Sequence, residues 1–226
     1  MKKKITYEDL KKMEPCYQPE EIGIVKGYSA TISVFIKEYR DRVKDKEDII
    51  WVLCRKDIMT ERDMRLFAVW CTREALKLID NPDKRSINAC DVAEKFANGE
   101  ATQEELAAAG FAAAYAAYAA DADADADAAD ADADAAAYAA ADAADAAYAA
   151  YVAADVDAAA AAASAAAYAA HAAAAAAYAA YAADADADAD ADAAAYAAAY
   201  AAAYAAAYRK IIEYGINLLR EVDHED

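Results

Sequence analysis

Apolar residues in the first hundred positions recur at helical spacing, in short runs separated by clear stop signals. Thr6 can cap a helix running to about Met13, which Pro15 ends. Ser29 can cap the next, in which Ile32, Phe35, Ile36, Tyr39 and Val43 fall on one face. A short apolar run, Ile49–Cys54, follows the charged turn Lys44–Asp48. Thr60 with Asp63 resembles a capping box and opens the clearest helix. Its Met64, Phe67, Ala68, Cys71, Ala75, Leu78 and Ile79 share one face, and Asn81-Pro82 ends it. A further helix is predicted from about Asp83 to Ala97, with Asn98-Gly99 as its stop. Trp51, Trp70, Phe67 and Phe96 are read as core rather than as a ligand-binding set.

The pattern changes at Thr102, which with Glu105 forms a second capping box and launches an array of Ala, Tyr and Asp. About two-thirds of residues 107–207 are Ala, the best helix former. Alternating Asp-Ala stretches have the period of a strand, but both residues are depleted in strands, so helix is expected. Tyr118, Tyr148, Tyr178 and Tyr208 recur every thirty residues, and the Asp clusters keep a similar beat. Thirty residues make about 8.3 turns at 3.6 residues per turn, so on one straight rod successive Tyr would face different ways. A helix–turn–helix array fits better, with Asp clusters at turns or frayed helix ends and helices near 103–122, 134–153, 158–183 and 193–222. Longer helices running through the Asp clusters are the competing arrangement. In the last helix Tyr196, Tyr200, Tyr204 and Tyr208 lead into Ile211, Ile212, Leu218 and Leu219 as one broad stripe. The fold class expected is therefore all-α. A small N-terminal helical domain spans 1–101, and an Ala/Tyr/Asp-rich array of antiparallel helices spans 102–226.

Charge divides the chain at the same place. Residues 1–106 carry 20 Lys/Arg against 21 Asp/Glu, whereas 107–207 carry 16 Asp and no Lys, Arg or Glu. Nearly all of the net charge of −19 thus sits in the array. Such a surface repels nucleic acid and anionic lipid, which need Lys and Arg, and attracts a basic protein. It also keeps an Ala/Tyr surface dispersed in water. The candidate partner surface is Asp121, Asp123, Asp125, Asp127, Asp130, Asp132 and Asp134 with Asp184, Asp186, Asp188, Asp190 and Asp192.

Candidate chemistry adds little. Asp121-x-Asp123-x-Asp125 imitates the start of a calcium loop, but the sixth position is Ala126 and the twelfth Asp132, where Gly and a bidentate Glu belong. No metal site or cofactor is expected. His171 reads as a packing residue, and no Gly-rich phosphate loop or nucleophile–base set is present, so no enzyme is expected. Cys16, Cys54, Cys71 and Cys90 lie in or near apolar helical stretches without a CxxC pair, which suits buried free thiols. The N-terminal Met1–Asp9 lacks the apolar core of a signal peptide, and Asp interrupts the Ala-rich half too often for a membrane span. A cytoplasmic protein is expected.

Glu14-Pro15-Cys16-Tyr17, Leu66–Cys71, Leu78–Asp83, Ala89–Glu94 and Ala97–Thr102 resemble a family of phage and bacterial proteins. Its members run into an Ala-rich helical tail, and some are labelled immunity proteins, by analogy with proteins that neutralise bacterial toxins. The resemblance covers residues 5–120 and implies a helical fold and a neutralising partner. It carries over no active-site residues. Two functions follow as expectations. One is a non-enzymatic acidic binding protein, an immunity or anti-defence factor blocking a basic protein partner. The other is a structural protein whose Ala-Tyr helices self-assemble into homo-oligomers or filaments.

Overall fold

The computed structural model describes residues 4–15, 17–78, 81–126, 158–182 and 189–222. These are mostly helical. A two-stranded antiparallel ribbon, β1 (Lys4–Thr6) and β2 (Ser29–Thr31), pairs Ile5 with Ala30. Thr6 ends β1 and caps α1 (Tyr7–Lys12) through a reciprocal box: its Oγ1 accepts from the Asp9 amide at 3.1 Å, and Asp9 accepts from the Thr6 amide at 3.0 Å. A 3₁₀ turn (Pro19–Ile22) leads towards β2. Ser29, expected as a cap, is a strand residue. Thr31 caps α2 (Ile32–Tyr39) instead, accepting from the Val34 amide at 3.4 Å. A cap needs extended backbone just before the helix, and the pairing with β1 supplies that at Thr31. Four residues of the expected face of α2 are buried, Ile32, Phe35, Ile36 and Tyr39, whereas Val43 lies beyond the helix end and is half-buried.

The run Ile49–Cys54 forms most of α3 (Glu47–Leu53), and Thr60 caps α4 (Glu61–Leu76) as predicted. Met64, Phe67, Ala68, Cys71 and Ala75 are buried along α4. Leu78 lies past the helix end and is exposed, so it does not extend that face. Ile79 lies outside the described residues. α5 (Lys84–Ala97) is capped by Asp83 and ends at Asn98, followed by Gly99 with φ +77°, a left-handed value glycine adopts freely.

α6 (Gln103–Ala126) packs on α5 through Ala89, Ala109 and Ala113. It continues through Asp121, Asp123 and Asp125, which corrects the expectation of a turn there. Asp costs at most about 0.7 kcal/mol against Ala per helical position, so alternating Ala and the cooperativity of an established helix can carry it through. α8 (Ala189–Val222) likewise begins within the second cluster, with Asp190 and Asp192 in its opening turn. There the helix dipole favours negative charge. The helix expected near 134–153 lies outside the described residues.

α7 (Ala158–Ala182) lies against α3, α4 and α8. It has no charged residue, and Ala162, Ala165, Ala166, Ala169, Ala170, Ala172 and Ala174 are buried, as expected of a helix that is apolar all round. Small side chains let neighbouring helices approach towards the short end of the usual 8–10 Å spacing. Six residues separate α7 from α8. A parallel pair would need that link to span α7, about 37 Å at 1.5 Å per residue, whereas six residues reach about 22 Å at most. The two are therefore antiparallel.

One hydrophobic core joins both sides of the 101/102 composition boundary. It runs from Ile5 through Phe35, Leu53 and Phe67 to Ala166, Tyr208, Ile212 and Ile216. The stripe on α8 holds the halves together, with Tyr208, Ile211, Ile212 and Leu218 buried and Tyr214 stacked on Trp70 at 4.3 Å. His171 packs as expected, its ring 5.3 Å from that of Tyr204.

Burial pushes the Cys54 and Cys90 thiols up to about 12, and Cys71 well above its ordinary value. All three are free and buried as expected, and Cys16 lies outside the described residues. We expect them to resist an aromatic disulfide reagent at neutral pH in the native protein and to react promptly in denaturant. The folded values exceed the unfolded thiol value of about 8.5, so the native state keeps protons that the unfolded chain releases. This contribution to stability is complete below about pH 8.5 and falls as pH rises towards 12.

Candidate functional site

The best-formed cavity is a cleft of about 300 Å³ between α1, the 3₁₀ turn, α2 and α3. Its wall is mainly apolar, including Leu10, Phe35, Ile49 and Trp51, and carries Glu14, Tyr17, Glu47 and Asp48. Among the described residues no Lys, Arg or His lines it.

Glu47 and Asp48 enter from the first turn of α3, and tyrosines from distant segments orient both. Tyr208 donates to Glu47 Oε1 at 3.0 Å and Tyr204 donates to the same oxygen at 3.2 Å. Tyr17 donates to Asp48 Oδ2 at 2.7 Å. Each carboxylate keeps its second oxygen without a partner among the described residues. Burial first, and then the bond to Asp48, raises the Tyr17 phenol well above its usual range. Burial likewise raises Tyr208, reinforced by Tyr204. Both hydroxyls therefore stay protonated as donors across the physiological range. Lys44 Nζ lies 4.9 Å from the centre of the Tyr17 ring, and Glu21 holds it at 2.7 Å.

Glu14 follows the end of α1 with φ +54°, the only left-handed non-glycine among the described residues. Glycine is the usual residue at this position after a helix. A residue before proline is also steered towards extended backbone, which Glu14 does not adopt. Its carboxylate has no partner among the described residues.

None of these residues was among the candidates drawn from the sequence. Trp51 was read as core and is half-buried at the cleft wall. Its nearest sequence signal was the acidic pair Glu47-Asp48 directly before an apolar run, which any helix start can show. Of the twelve candidate aspartates, Asp121, Asp123 and Asp125 lie in the last turns of α6, and Asp190 and Asp192 in the first turn of α8. Asp127, Asp130, Asp132, Asp134, Asp184, Asp186 and Asp188 lie outside the described residues. Among the described residues no group of His, Cys, Asp and Glu is arranged to hold a metal ion, and no helix is long and apolar enough to cross a membrane.

No protein-family model, curated protein or solved structure matches this chain. Its function has to be argued from its own residues.

Proposed function

We propose that the protein is a non-enzymatic binding protein that engages a basic protein partner through its acidic array. In its finer form it is an immunity or anti-defence factor covering a positive site such as a nuclease groove. The observation that carries this reading is the segregation of charge: 16 Asp and no cation in residues 107–207, beside a nearly balanced 1–106. A field of one sign speeds encounter with a basic surface and rejects nucleic acid and anionic membranes. The array is also anchored to folded protein. α6 packs on α5 before the first aspartate run, and α7 and α8 flank the second within the shared core.

The test is capture of defined basic nucleases by the immobilised full chain, at low and at high salt. A variant with Asp184, Asp186, Asp188, Asp190 and Asp192 changed to Asn provides the comparison. Salt-sensitive capture that drops about tenfold or more in the variant is expected, since each exposed charge pair contributes up to about 1 kcal/mol at low ionic strength. Equal capture by the Asn variant would end this reading.

One observation favours self-assembly as a second reading. Phe111 and Tyr115, four residues apart on α6, are 59% and 69% exposed. Exposed apolar surface that is contiguous marks protein–protein contact sites. Light scattering across concentration should then show oligomers that Phe111→Ser with Tyr115→Ser dissociates. A monomer at high concentration excludes it.

A further inference from the structure

We propose that the cleft between α1, the 3₁₀ turn, α2 and α3 binds a small organic cation, an ammonium carried on an apolar, aryl-sized body. The cleft volume of about 300 Å³ lies at the lower end of small-ligand pockets. The apolar wall, with Phe35, Val43, Ile49 and Trp51, calls for an apolar body that leaves water on entry. The polar part of the wall calls for a cation: among the described residues it carries Glu14, Glu47 and Asp48 and no Lys, Arg or His. An anion there would meet only like charge.

Three features show a cation seat rather than scattered acids. Glu47 and Asp48 are each fixed through one oxygen by tyrosine hydroxyls, and each keeps the other oxygen free to accept from an ammonium. Lys44, which stands over the Tyr17 ring, pairs with Glu21 at 2.7 Å rather than with Asp48. Glu14 keeps a carboxylate on the cleft wall at the cost of left-handed backbone, about 1–2 kcal/mol for a residue other than glycine. Glycine would relieve that strain and remove the charge. Strain kept at one position on the wall of the best-formed cavity fits a role in binding.

The cleft lies outside the acidic array, so this inference and the partner reading fail separately. The test is isothermal titration of the full chain with 2-phenylethylamine, 3-phenylpropionate and 2-phenylethanol, which share an aryl body and differ in charge. The amine is expected to bind at least about tenfold more tightly than the other two, the scale set by one hydrogen bond to a charged group. Glu14→Gly is expected to melt no lower than the native protein and still weaken the amine several-fold. Glu14→Lys is expected to shift the preference towards 3-phenylpropionate. Equal affinity for all three compounds, no binding of the amine at millimolar concentration, or amine affinity unchanged in both Glu14 variants would overturn the proposal.

Discussion

Tyr208→Ala is expected to destabilise the protein by about 3–5 kcal/mol, the range for truncating a large aromatic in a core. Tyr208 is fully buried on α8, its ring lies 4.8 Å from that of Tyr204, and its hydroxyl reaches Glu47 across 161 residues of sequence. The substitution empties a ring-sized space and also cuts the tie between α8 and α3. Domains of this kind are stable by only about 5–15 kcal/mol, so the loss takes a large share of the total. Tyr208→Phe separates the two contributions. It keeps the ring and is expected to cost about 1–2 kcal/mol, reduced from the value for a buried charged bond because Glu47 is exposed. Urea titration followed by circular dichroism measures both. A Tyr208→Ala midpoint within error of the native one would mean that α8 is not held in the way described.

Gly215→Val is expected to cost a further and separate 2–3 kcal/mol, at the upper part of the range for overpacking a core. Gly215 lies in α8 without unusual backbone, so its place is not a matter of conformational freedom. Space is the reason. A Cβ there would stand 2.9 Å from Leu53 Cδ1 and 3.2 Å from Phe67 Cε2, and both of those side chains are fully buried. Gly215→Ala sets two effects against each other: about 1 kcal/mol of gained helix propensity and the push on Leu53. The pair of variants should therefore differ by more than either differs from expectation alone. A stabilised Gly215→Val would show that α8 stands further from α3 and α4 than it does here.

These two positions also show what was legible in the sequence. Local signals were: Thr6, Thr60 with Asp63 and Asn98-Gly99 mark helix ends where they occur, because caps are decided within four residues. The face of α2 was readable for the same reason. Ser29 misled because its strand partner Thr6, 23 residues earlier, decides its backbone, and nothing near Ser29 announces it. Asp121, Asp123 and Asp125 misled because residue preference was weighed position by position, whereas helix propagates from its neighbours. The cleft was not legible at all. Glu47 is one acid among many until Tyr204 and Tyr208 arrive from the far end of the chain, and Gly215 looks like a helix fault until Leu53 and Phe67 stand beside it.

The alanine helix α7 has one further consequence. Its buried faces are nearly featureless, so sliding it by one turn along α4 exchanges alanine for alanine and changes little contact. Alignment has to come from the few large side chains that index the smooth surface: His171 against Tyr204 beside it, and Tyr168 packed against the core. A helix bundle of this composition specifies its position sparsely, as a ruler with only a few marks does. Removing a mark should leave the helices folded and the bundle able to settle in more than one alignment.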